Sequence, residues 1–194
     1  MAKKRCSWAG TTNELMIKYH DDEWGRPVRN NDQLLYEFLI LEGAQAGLSW
    51  STVLNKRENY RKAFDNFDYE KIAKYDEKKI SELLQNEGII RNKLKITSAI
   101  NNAKRFMEVQ KEFGSFDKYI WQFVDNKPIQ NEIKSMSEIP ASTELSSKIS
   151  KDLKKRKFNF IGTTIMYAFM QAIGMVNDHI IDCFCFDEIT NQKE

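Results

Sequence analysis

The chain has 194 residues, 41% of them hydrophobic and 30% charged, which supports one domain with a real core and excludes a disordered chain. A formal charge of +2 excludes a globally basic nucleic-acid binder, so any such surface must be local. No apolar run is long enough to span a bilayer, and the basic Met1 to Arg5 leads into Cys6-Ser7-Trp8 rather than a signal core, so a cytoplasmic protein with no membrane contact is expected.

Taken in order, Lys3 to Pro27 gathers Cys6, Trp8, Tyr19, His20 and Trp24, an aromatic density that suits either core or the wall of a pocket for a flat ligand. Asn31 or Asp32 then caps an amphipathic run in which Leu35, Phe38, Leu39 and Glu42 share one helical face. Glu42 precedes Gly43, Gly47 and Trp50. It is either a frayed helix end turned to water or the single acid of a pocket wall built from flexible backbone and a large ring.

Ser49 is placed as the cap of a helix through about Phe64, and Asp68 and Asp76 as caps of a short helix and of Glu77 to Asn86, closed by Gly88. The clearest helical period, Ile96-Ala99-Ile100-Ala103-Phe106-Met107, runs to Gly114, and Ser115 opens the next helix. Asp125 to Ser142, with two of the three prolines, reads as a long surface connection. Ser142 or Thr143 caps a lysine-rich helix whose charge has a solvated face as its default reading. Phe158 to Thr164 and an apolar helix, Ile165 to Ile173, follow; amides of that hairpin can receive a phosphate. No strand alternation persists, so the expectation is an all-α protein of roughly eight to ten helices.

Three cysteines without a signal peptide argue against a disulfide framework. His179 and Cys183 are spaced i, i+4, neighbours on one face if that segment is helical. Alone the pair fits a core cysteine and a capping histidine as well as a metal. With Cys6 and His20 it completes a Cys₂His₂ set that uses both histidines of the chain and leaves no open position on a tetrahedral zinc. One structural zinc clipping the two chain ends together is expected. Asp21 and Asp178 are candidates to orient the histidines, and Cys185 is a substitute for Cys183 should the helix end early.

Six ordered blocks, Arg5-Cys6-x-Trp8, Tyr19-His20-Asp21-x-Glu23-Trp24-Gly25, Leu41-Glu42-Gly43-x-Gln45-Ala46-Gly47-Leu48-Ser49-Trp50, Gly88-Ile89-Ile90-Arg91, Gly162-Thr163-Thr164 and Asn177-Asp178-His179, resemble the bacterial 3-methyladenine DNA glycosylase I family from Lys4 to about Phe186. The resemblance implies a helix-hairpin-helix glycosylase fold over residues 1–194, in two helical lobes with N- and C-terminal segments joined by zinc at Cys6, His20, His179 and Cys183. It implies a monofunctional enzyme that flips 3-methyladenine, and more weakly 3-methylguanine, out of alkylated DNA and releases it by hydrolysis; double-stranded DNA as the partner and a monomeric state are expected alongside. Glu42 would meet the edge of the base, with Tyr19, Trp50, Trp8 and Trp24 around the ring. Gly47 and Leu48 would fill the gap in the DNA, and Phe160, Ile161, Gly162 and Thr163 would bind a phosphate. Two departures stand out: Met16, where some members have an aromatic residue, and Asn177, where the wider superfamily has a catalytic Asp. Asn177 motivates a competing expectation, a zinc-stabilised module that binds damaged DNA without cutting. An ordinary sugar glycosidase ranks last, because only one carboxylate is marked.

Overall fold

The computed structural model describes residues 3–191, and its centre is one helix. Helix α2 (Asp32–Gln45) is buried at every position from Leu35 to Ala44, so it is surrounded on all sides rather than laid on a surface by one face. Asn31 caps it by accepting from the Leu34 amide at 3.0 Å. Asp32 instead accepts from the Phe116 and Asp117 amides, at 2.8 and 2.9 Å, and so caps α8 (Phe116–Trp121) from a distance.

Helices α3 (Trp50–Leu54), α7 (Lys93–Phe113), α8 and α10 (Thr163–Ala172) pack against α2, and α1 (Glu14–Asp22), α4 (Arg57–Ala63), α5 (Tyr69–Ile72), α6 (Glu77–Gln85), α9 (Glu144–Lys155) and α11 (Phe184–Thr190) complete the set. Short 3₁₀ turns lie at Ser7–Ala9, Asp65–Phe67, Gln122–Val124 and Met136–Glu138. Eleven α-helices among the described residues slightly exceed the expected count, because the segment after Ser49 is two helices. Asn55 bonds back to Ser51, but the Lys56 amide bonds only three residues back, to Val53, and that tightening ends α3. Gly114 closes α7 in the left-handed conformation, at φ 86°. Gly88 does not close α6, which stops at the cap residue Asn86; its missing Cβ lets the chain pass Asn59, where an added carbon would sit at 3.0 Å.

The protein is not purely helical. Within the expected surface connection, β1 (Ile129–Gln130) pairs in parallel with β2 (Val176–Asn177), and Ile133 bridges to Ile180. This pairing draws residues 129–139 onto the body. It also holds the chain around His179 extended, so His179 and Cys183 are not on one helical face; Cys183 precedes α11 as its cap residue.

At the far end, α9 and α10 are joined by residues 156–162. Thr143 and Ser146 form a capping box that starts α9. The connection is pinned by α7: Asn102 donates to the Asn159 carbonyl at 3.0 Å and accepts from the Asn159 amide at 2.8 Å, while Asn101 donates to the Lys157 carbonyl. Gly43 of α2 packs directly under Phe160, whose Cβ would lie 3.1 Å from an added Cβ.

Candidate active site and metal centre

Two buried glutamates on α2 show what is structural and what is not. Glu37 meets Arg57 and Arg61, and Arg57 is also paired with Glu23 at 2.7 Å. That network supplies a buried carboxylate with the cations it needs. Glu42 is 4% exposed, no protein group donates to it among the described residues, and its Oε2 is buried without a partner. Burial alone pushes its carboxyl up from 4.5 to about 8. The solvated, frayed helix end is therefore not what forms; the acid faces a cavity.

That cavity, of about 410 Å³, is lined by Glu42 and by five other residues singled out from sequence, Trp8, Met16, Tyr19, Trp24 and Trp50. The rings support one another: Tyr19 lies 5.1 Å from Trp50 and 6.1 Å from Trp8, and Trp8 meets Trp24 edge-on at 5.0 Å. The indole N–H groups of Trp8 and Trp50 are buried without acceptors. Two donors and one carboxylate thus lack partners around one space, an arrangement that costs stability and is satisfied by a polar, flat ligand. Gln45, Met136, Ile139, Ala168 and Gln171 complete the lining. Sequence reasoning missed these five. Gln171 carried a signal, a lone amide in an apolar helix; Met136 and Ile139 carried none, since only the β1–β2 pairing brings them there.

The pocket rests on the Cys/His cluster. Cys6, His20, His179 and Cys183, all buried, bring one ligand atom each into mutual reach. Cys6 Sγ lies 3.6 Å from His179 Nδ1, and Cys183 Sγ lies 3.4 Å from His179 Nδ1 and 3.5 Å from His20 Nε2. Ordinary zinc–sulfur and zinc–nitrogen bonds at a tetrahedral angle require about 3.6 Å between such atoms. The other ring nitrogens are already committed. His20 Nδ1 donates to Asp21 at 2.8 Å, and Arg5 fixes Asp21 through Nε and Nη2 and holds its carboxyl below the usual range. His179 Nε2 donates to the Trp24 carbonyl at 2.9 Å. Asp178 does not fill the expected role beside His179; it bonds to Asn131, Tyr167 and Gln171. Cys185 stays outside the four, 4.0 Å from His20 Nδ1. Trp24 packs edge-on against His179 at 4.6 Å, so the cluster and the aromatic wall are one packed unit.

The comparisons with known proteins agree with this geometry. The family model described as Methyladenine glycosylase matches residues 8–186. This chain belongs to that family. It is 48% identical to the DNA-3-methyladenine glycosylase of Haemophilus influenzae over 181 residues, covering 93% of this chain and 97% of that protein. A crystal structure of a 3-methyladenine DNA glycosylase I superposes with a TM-score of 0.90 at 49% identity, covering 94% of this chain and 99% of the other. Another, of a variant in complex with 3-methyladenine, gives 0.89 at 32% identity, covering 93% and 96%.

Within this methyladenine glycosylase, Asn177 stands away from the pocket: it is buried in β2, donating to Gln130 at 2.8 Å. Gly47 takes φ +78° with open space beside it, and Leu48 next to it is 41% exposed. Lys95 braces this turn by donating to the Ala44 and Ala46 carbonyls at 2.8 and 2.7 Å. In the hairpin, Phe160 is half-buried at φ +52°, whereas the Ile161 side chain is core and its carbonyl accepts from Ser150 at 2.6 Å. Gly162 gives α10 no capping side chain, so the first-turn amides of Thr163 and its neighbours have no cap.

Proposed function

We propose that the protein is a monofunctional DNA glycosylase of base-excision repair that releases 3-methyladenine by hydrolysis and leaves an abasic site. The observation that carries this reading is Glu42, an unpaired buried carboxylate in an aromatic cavity, the complement of a flat cation. Methylation at N3 makes adenine cationic and weakens its bond to the sugar. A cation against these rings gains roughly 0.5–2 kcal/mol that neutral adenine does not. Inside the cavity it also meets a carboxylate that burial has left without any other counter-charge. Breakage of the glycosidic bond sends the electron pair to the base, which departs neutral, and water adds to the cationic sugar carbon and gives up one proton to solvent. The lesion's own lability makes a second catalytic carboxylate unnecessary, and unstacking costs least for a damaged base.

Supporting the DNA side of this reading, Leu48 is an exposed apolar wedge on a turn that its glycine lets approach DNA closely. The uncapped α10 amides near Phe160, Gly162 and Thr163 suit a phosphate, with Ile161 contributing backbone only. We assign α9, the 156–162 connection and α10 the part of a helix-hairpin-helix element, residues 1–194 one glycosylase unit, and double-stranded DNA as the partner of a monomer. The thiolate and imidazole donors, their spacing and their oriented second nitrogens fit one zinc, which would join the two ends of the chain and hold the aromatic wall without an open position for chemistry. A cytoplasmic site of action belongs to the same reading.

Methylated DNA incubated with the purified, metal-loaded protein should yield free 3-methyladenine, identified by chromatography with mass detection. A folded preparation that yields none overturns the assignment.

A further inference from the structure

Gln171 faces the cavity from the end of α10 and brings a carboxamide to its lining. Its main chain is fixed, because its carbonyl accepts from the Gly25 amide at 2.9 Å. Its side chain is oriented from behind. Asp178 is fully buried: Asn131 Nδ2 donates to its Oδ1 at 2.7 Å, and the Tyr167 hydroxyl and Gln171 Nε2 both donate to its Oδ2 at 2.7 Å. A carboxylate accepts the NH₂ end of a carboxamide and cannot serve its carbonyl end, so the two ends of Gln171 are not interchangeable. Oε1 is therefore the free end, and no protein donor meets it among the described residues.

We propose that Gln171 is a specificity-determining residue of the base pocket: locked by Asp178, it presents a hydrogen-bond acceptor that joins Glu42 in reading the exocyclic amine of the bound purine and disfavours a purine with a carbonyl there. The inference rests on the glycosylase reading above. An amine has two N–H groups to give, and the two acceptors, on α2 and α10, can take one each. A 6-oxo purine brings lone pairs instead and leaves a buried acceptor unpaired. Glu42 can meet a carbonyl by keeping its proton. Gln171 has no such escape, because turning its amide would set its carbonyl against Asp178. Discrimination between 3-methyladenine and 3-methylguanine falls to Gln171 for that reason.

The test is the release of both bases from the same methylated DNA by full-length, metal-loaded protein, wild type and Gln171→Met. Methionine keeps the length of the side chain and removes the acceptor. The 3-methyladenine rate should fall about tenfold or more, while the 3-methylguanine rate holds or rises, so their ratio collapses. Equal losses on both bases, or an unchanged ratio, overturn the proposal. A wild type that releases neither base removes the glycosylase reading itself. Should the variant fail to fold, the wild type still decides: the Gln171 carboxamide NMR signals should shift on saturation with free 3-methyladenine, and stationary signals contradict the contact.

Discussion

Glu42 is held where a carboxylate is least stable. Its folded value of about 8 lies above its ordinary 4.5, so stability from this site is complete below about pH 4.5 and is lost progressively as pH rises to about 8. Glu42→Gln should therefore raise the melting temperature at neutral pH by the equivalent of a few kcal/mol. The gain should vanish below pH 5, and a pH series of thermal melts on both proteins checks it. An equal difference at every pH would mean that Glu42 is not a buried, unpaired acid. Residues of this kind were legible in the sequence because they break a local rule: an acid on an apolar helical face, histidines that appear only in stretches that also bring a cysteine. Gln171 breaks the same rule, yet its meaning was hidden, since the group that orients it, Asp178, stands seven residues away, just past the end of β2.

At the scale of elements, the site depends on places where backbones nearly touch. Gly174 ends α10 at φ +72°, and a Cβ there would fall 2.3 Å from the Arg26 carbonyl carbon and 2.4 Å from Pro27 N. Backbone cannot step aside as a side chain can. Gly174→Ala should cost more than about 3 kcal/mol, read as loss of the folded protein or a steep fall in its denaturation midpoint. Gly43→Ala meets only the Phe160 side chain and edge of its backbone, at 3.1 and 3.5 Å. It should cost about 1–3 kcal/mol and weaken DNA binding more than free-base binding, because the displaced part is the hairpin. Helix boundaries were largely legible, as the caps Asn31, Ser49, Asp68, Asp76, Ser115 and Thr143 all accept from backbone amides of the following turn. The 125–142 connection was not. Its two-residue strand has no alternation to read, and its partner lies at Val176–Asn177, a pairing only long-range packing can choose.

At the scale of the molecule, the segments around Cys6 and Cys183 meet at the cluster, and the pocket leans on it. Removing a ligand should therefore be felt as unfolding first and lost binding second. Cys183→Ser is expected to carry clearly less than one zinc per chain by metal analysis, to melt several degrees lower, and to alter tryptophan fluorescence through Trp24 and Trp8. A variant with full metal content and an unchanged melt would show that Cys183 is not a ligand. The surface around Leu48 is separable from this frame: Leu48→Ala should leave the melt within about 0.5 kcal/mol of wild type and weaken binding to abasic-analogue DNA.

On the function proposed, the charge of Glu42 selects the lesion. Its most direct test is kcat/KM for 3-methyladenine release from pH 6 to 9 by wild type and Glu42→Gln. Wild-type values should climb about tenfold between pH 7 and pH 9 as the free enzyme's carboxyl ionises. The variant should be at least about a hundredfold slower at pH 9 and flat with pH. Equal rates for the two proteins across the range would contradict the claim and leave Glu42 a spectator in its own pocket.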